Sequence, residues 1–143
     1  MTQRRKYQHY HPYFITTNVQ KRSSLFEVKE YAQLLSNTII RVCNSLNCKL
    51  YGFCIMPDHV HLLLLTNKEN NISTVMQQIK SLTAKAMRER LGFKEKFWQP
   101  RFNHQIIDTS NGIAGTITYI KNNYIKWDLD KKYSKMPYLY INP

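Results

Sequence analysis

The sequence predicts an α+β fold, an antiparallel sheet carrying two helices, followed by one further helix. Three observations predict it. Hydrophobic spacing switches between periods of two and 3.6 residues in the order β-α-β-β-α-β. Pro57-Asp58 separates two short apolar runs closely enough for a hairpin. A last amphipathic stretch then follows the fourth strand.

The elements follow in chain order. Tyr13–Val19 (YFITTNV) is rich in β-branched and aromatic residues and forms the first strand. Across Glu30–Leu46, residues Tyr31, Leu34, Leu35, Thr38, Ile39, Val42 and Leu46 recur at helical spacing. Cys48–Met56 and His59–Leu65 are the second and third strands, paired through the Pro57-Asp58 turn. A second helix places Ile72, Val75, Met76, Ile79, Leu82, Ala86 and Arg90 on one stripe, with Gly92 as its stop. Lys80, Lys85 and Arg88 lie off that stripe, in solvent. The fourth strand falls within Phe97–Ile107, its edges blurred by Pro100, and Gly112–Trp127 is the third helix. The charged, then Tyr- and Pro-rich tail from Asp128 to Pro143 receives no element. This order is the split βαβ of ferredoxin-like and RRM-like folds, and it leaves one sheet face open for the third helix.

Composition narrows the function. The 143 residues suit one domain, residues 1–143, with no repeat or linker dividing them. With 21 Lys+Arg against 9 Asp+Glu the net charge is +12, and neutralising phosphates is the commonest reason for such an excess. Ten tyrosines among the aromatic residues offer rings on which bases can stack. No apolar run approaches the length of a membrane span, and the basic N-terminus lacks the apolar stretch of a signal peptide, so a cytoplasmic location is expected. Cys43, Cys48 and Cys54, odd in number and without CxxC spacing, are expected as reduced thiols.

Met56-Pro-Asp-His-Val-His-Leu-Leu-Leu-Leu65 carries the sharpest chemical signal. Alternate strand residues share a face, so His59 and His61 point together while Val60, Leu62 and Leu64 point to the helices. Two adjacent imidazoles on an apolar strand suit a divalent metal. A pair of core histidines satisfied by backbone or Tyr partners has the same pattern. His9 and His11 share the spacing but precede Pro12 in a polar segment and are read as surface. On the third helix Ile113, Ile117, Ile120 and Tyr124 form the stripe expected to be buried. Gly112, Thr116, Tyr119 and Asn123 form a more polar stripe beside it. Tyr124 thus reads as packing and Tyr119 as a phenol at the helix edge. Asn123, one turn on, offers a hard oxygen of the kind Mg²⁺ or Mn²⁺ accepts.

MPDHVHLLLL resembles the MPNHVHLL block of the HUH superfamily. Thr118-Tyr-Ile-Lys-Asn-Asn-Tyr-Ile-Lys-Trp-Asp-Leu-Asp130 resembles the YI-x-NNP-x-KW-x-LD segment of REP-associated tyrosine transposases and their insertion-sequence relatives. Lys96-Phe-Trp-Gln99 and Tyr13-Phe-Ile-Thr-Thr17 resemble two further stretches of that family, in the same order. The resemblance implies a metal-dependent endonuclease and strand transferase. It would act on single-stranded DNA, with hairpin ends, through a 5′-phosphotyrosine in DNA transposition. It makes Tyr119 the nucleophile, His59 and His61 metal ligands, Asn123 the third ligand, and Mg²⁺ or Mn²⁺ the cofactor. Tyr124 stands where the family usually has Pro, and the Phe102–Ile107 run departs from the family pattern, so no role passes to His104 or Gln105. Charge and sequence proximity add Arg4, Arg5, Lys6, Lys121 and Lys126 as DNA contacts. Insertion-sequence relatives act as dimers, whereas REP-associated ones can act as monomers, so the resemblance is compatible with a homodimer. Two alternatives stand beside this reading. One is a non-catalytic, domesticated single-strand binder of RRM-like fold. The other is a replication-initiation or relaxase nuclease, usually a larger protein.

Overall fold

A computed structural model describes residues 11–143. Strands β1 (Pro12–Asn18), β2 (Lys49–Ile55), β3 (His59–Leu65), β4 (Asn103–Ile106) and β5 (Leu139–Ile141) alternate with helices α1 (Lys29–Ser45), α2 (Ile72–Leu91) and α3 (Ser110–Lys126). The strands form one antiparallel sheet in the order β4-β1-β3-β2-β5. The expected split βαβ is thus present, extended by a fifth strand on the β2 edge. Arg4, Arg5, Lys6 and His9 lie outside the described residues.

Local chemistry explains the element boundaries. The β2–β3 hairpin closes around Pro57-Asp58, with Met56 N donating to His59 O at 2.8 Å. Asn71 caps α2 by accepting from Thr74 N at 2.9 Å, and Gly92 ends it in the left-handed conformation (φ 70°) that an L side chain rarely adopts. Thr109 caps α3, its hydroxyl accepting from Gly112 N at 2.9 Å.

One face of the sheet meets α1 and α2. Tyr13 and Ile15 of β1 and Val60, Leu62 and Leu64 of β3 are buried there with Leu35 and Ile39 of α1 and Val75, Met76 and Ile79 of α2. Each such side chain withdrawn from water contributes roughly 1.5–3 kcal/mol. Helix α3 covers the other face, over β2 and β3.

Several expectations need correction. Leu82 and Arg90 are exposed and Ala86 is half-buried; the buried stripe of α2 runs instead through Ile79, Thr83 and Met87, continuing at i+4. Lys80 is not free in solvent, because its ammonium donates to Gln99 O at 2.7 Å and Arg101 O at 3.3 Å. The fourth strand is only four residues long. Upstream of it the chain still touches the end of β1, through a Val19–Trp98 bridge and Gln99 N donating to Asn18 O at 3.0 Å. Pro100, lacking an N–H, falls in the interruption. The unassigned tail supplies β5 and two buried tyrosines, Tyr133 and Tyr138, whose rings lie 4.5 Å apart. The cysteines are free, as expected, and all three are buried, with burial pushing the Cys43 and Cys54 thiols up to about 12.

A candidate metal and tyrosine site

The alternation of β3 and the register of its neighbours assemble the site. His59 and His61 stand on the α3 side of the sheet, opposite Asn18 and Thr16 of β1, and Cys54 of β2 faces His61 from the other flank. Both imidazoles are buried, with ring centroids 4.8 Å apart. Each is held by its Nδ1. His59 Nδ1 lies 2.7 Å from Asp58 Oδ1, and Arg22 Nε donates to Asp58 Oδ2 at 3.0 Å. An ionised carboxylate can only accept, so Nδ1 of His59 carries the proton and Nε2 keeps its lone pair. His61 Nδ1 lies 2.7 Å from Thr16 Oγ1; a hydroxyl both donates and accepts, so this contact sets the ring's orientation and not its tautomer.

Burial dominates the electrostatics. It pushes His61 down to about 3, helped by the nearby charges of His59 and Lys126, so this imidazole is neutral at any physiological pH. Burial also lowers His59, against the opposing pull of Asp58. For Asp58 burial alone would raise the carboxyl, but hydrogen bonds from His59 and Arg22 outweigh it and hold it below its ordinary value. Neutral imidazoles oriented through Nδ1 by an oxygen partner are the form in which histidine ligates a metal.

Helix α3 lays its polar stripe over this pair. The Tyr119 ring packs edge-on to His61 at 5.7 Å and to Phe14 at 5.8 Å, and Phe14 stacks on His61 at 5.2 Å. Two turns on, the Trp127 ring lies 5.9 Å from His59. Asn123 stands midway between Tyr119 and Trp127 on the helix. It is fully buried, whereas Tyr124, expected to be the buried residue, is only half-buried. Among the described residues neither Asn123 Oδ1 nor Nδ2 has a hydrogen-bond partner. An orphaned buried polar group costs about 1–3 kcal/mol. The carbonyl end is a hard oxygen donor, so two imidazoles with this amide suit a divalent cation that keeps further positions open for substrate oxygens. Among the described residues no three His, Cys, Asp or Glu side chains form a closed metal cluster.

Tyr119 is 36% exposed, reachable from solvent yet packed against His61. Lys126 Nζ donates to its phenol oxygen at 3.1 Å and lies 4.9 Å above its ring. Lys126, expected as a DNA contact, is therefore brought to the candidate nucleophile, while Lys121 is exposed on the same helix. Sequence reasoning missed Thr16, Phe14, Asp58 and Trp127 as parts of this site. His104 points to the opposite face, its ring 5.8 Å from Tyr13, and His11 is half-buried at the start of β1.

The site is thus an antiparallel sheet with a histidine pair beneath a tyrosine-bearing helix, and comparisons with known proteins place the chain in a family. The family model described as "Transposase IS200 like" matches residues 6–123, and the chain belongs to that transposase family. It is similar to a Haemophilus influenzae protein described as a candidate REP-associated tyrosine transposase, with 24% identity over 136 residues, 88% of this chain and 77% of that one. A solved REP-associated tyrosine transposase bound to a REP hairpin superposes with a TM-score of 0.75 and 25% identity, covering 92% of this chain and 76% of that one. A candidate transposase of Deinococcus radiodurans shares the fold, with a TM-score of 0.60 and 21% identity over 80% of this chain and 91% of its own. Among the described residues no helix is long and apolar enough to cross a membrane.

Proposed function

We propose that residues 1–143 work as one metal-dependent nuclease and strand transferase that opens and rejoins single-stranded DNA during transposition, in the cytoplasm where that DNA lies. The observation that carries this reading is Tyr119 seated on His61, with the buried, unpartnered Asn123 one turn further along the helix. Tyr119 attacks a phosphodiester: its oxygen forms a bond to phosphorus, the P–O3′ bond breaks, and the electron pair leaves on O3′, which takes up a proton. The products are a 5′-phosphotyrosine and a free 3′-OH, and a second 3′-OH can reverse the step because no bond energy is lost to water. Lys126, already donating to the phenol oxygen, stabilises the negative charge that grows there as the proton departs.

His59, His61 and Asn123 would hold Mg²⁺ or Mn²⁺. When bound, the metal draws charge from a non-bridging phosphate oxygen and orients the phosphate. Asp58 and Thr16 keep the two imidazoles aimed through their Nδ1 atoms. Arg4, Arg5, Lys6 and Lys121, with Lys126, supply charge for the DNA backbone. The solved relative bound to a REP hairpin makes hairpin-ended strands the substrate to try first.

The experiment is a denaturing gel of labelled single-stranded hairpins incubated with the protein in Mn²⁺ or EDTA. The expected result is a metal-dependent, SDS-resistant adduct that Tyr119→Phe abolishes while DNA binding persists. Salt-sensitive binding without an adduct across a broad panel would instead make the chain a non-catalytic single-strand binder.

A further inference from the structure

Gly115 sits in the middle of α3, one turn before Tyr119, where glycine is among the poorest helix formers. Packing does not explain it. A Cβ added at Gly112 would meet Ile107 Cγ2 and Thr109 Oγ1 at 2.9 Å, so that glycine is needed for the helix to approach the sheet edge. Among the described residues, a Cβ at Gly115 would meet nothing within 4 Å. The space it leaves belongs to a cavity of about 370 Å³ between the first half of α3 and the β1–β4 edge, with Tyr119 in its wall. Ligand clefts span roughly 300–1,000 Å³, so this one suits a small planar group.

The lining identifies the kind of group. Among the described residues the lining is aromatic, apolar and amide, with no charged side chain, and favours a planar group over a phosphate. Phe14 contributes an aromatic wall, its ring fixed by stacking on His61 and by the edge contact with Tyr119. Gln105, directly across from Phe14 in the β1–β4 register, is exposed, and its amide has both a donor and an acceptor for the edge of a base. Thr116 turns its hydroxyl back onto Gly112 O at 2.8 Å, so the helix wall offers mainly apolar surface and bare backbone.

We propose that this cavity receives one unpaired nucleobase next to the phosphate that Tyr119 attacks, stacked against Phe14 and read at its edge by Gln105, with Gly115 kept small to admit it. The proposal rests on the nuclease reading above and adds a base subsite to it. A base can enter only when it is unpaired, which ties the site to single strands.

The test uses the full chain, Gly115→Ala, Gly115→Leu and Gln105→Ala. Their partners are fluorescent single strands in which one abasic position is stepped along the sequence. Binding is read by anisotropy, folding by Tm, and adducts by gel. Alanine favours helix, so Gly115→Ala should hold or raise Tm. Gly115→Leu should lose roughly tenfold or more in affinity, the worth of one stacked base. That loss should vanish on the strand abasic at one position, and Gln105→Ala should flatten the preference among the four bases there. Gly115→Leu with unchanged Tm and wild-type affinity, or a loss equal on every abasic strand, overturns the subsite. If Gly115→Leu does not fold, Gly115→Ala and Gln105→Ala decide by the same comparison. A wild-type chain that forms no adduct but shows this position-specific dependence would sink the nuclease reading and leave the subsite standing. A wild-type chain indifferent to every abasic position overturns the subsite, whether or not adducts form.

Discussion

On its two faces the sheet carries different chemistry from the same strands. Toward α1 and α2, β3 presents Val60, Leu62 and Leu64, all fully buried, and β1 adds Tyr13 and Ile15. Among the described residues, the orphaned side-chain atoms on that side are single hydroxyls, those of Thr17, Ser36 and Thr83. Toward α3, the same β3 presents His59 and His61, β1 presents Thr16, and the helix adds an asparagine with both amide ends unpartnered. One face buries carbon; the other buries polar groups, among them an amide without a partner among the described residues. The contacts of the histidines with Asp58 and Thr16 are made through Nδ1 and leave Nε2 out of those bonds.

That contrast can be broken or sharpened by substitution. The largest effect is expected from His59→Ala combined with His61→Ala. It should reduce adduct formation in Mn²⁺ to the level seen in EDTA, while urea unfolding shows a chain still cooperatively folded. Ile39→Ala, on the α1 side, should do the reverse. It should cost about 2–5 kcal/mol in urea unfolding and leave adduct yield per folded molecule unchanged. Asp58→Asn removes the carboxylate that orients His59 and should weaken Mn²⁺ binding by about 10–100-fold in calorimetry. The smallest effect is the most diagnostic. Asn123→Leu replaces an unsatisfied amide by carbon of similar size, so the metal-free protein should gain about 1 kcal/mol. It should also lose the rise in Tm that Mn²⁺ gives the wild type. A metal-free Asn123→Leu chain less stable than wild type would mean that Asn123 has a structural partner and is not waiting for a cation.

How much of this the sequence revealed depends on the range of the information needed. The histidine pair and the separation of Tyr119 from Tyr124 were legible because they follow from periodicity within one strand or one helix. The fold order was legible for the same reason. Thr16 was not, because its meeting with His61 depends on the β1–β3 register, set by pairing across 45 residues. Asp58 stood in plain view beside His59, and a carboxylate next to a candidate ligand is a signal that could have been read. Leu82 was misplaced because the step after Ile79 was taken as three residues, where the buried stripe continues by four, through Thr83 and Met87. Strand β5 was invisible since three residues carry no period, and its pairing with β2 is decided by the register of the whole sheet. Burial of Asn123 runs against residue preference, and such departures from local rules tend to fall at functional sites.

The central claim is that Tyr119 carries the cleaved strand, and mass spectrometry tests it most directly. Lys121 lies between the two tyrosines of α3, so trypsin separates Tyr119 in residues 102–121 from Tyr124 in residues 122–126. After reaction with a single-stranded hairpin in Mn²⁺ and nuclease trimming, the 102–121 peptide should bear a phosphonucleotide on Tyr119. The same mass on the 122–126 peptide would contradict the account.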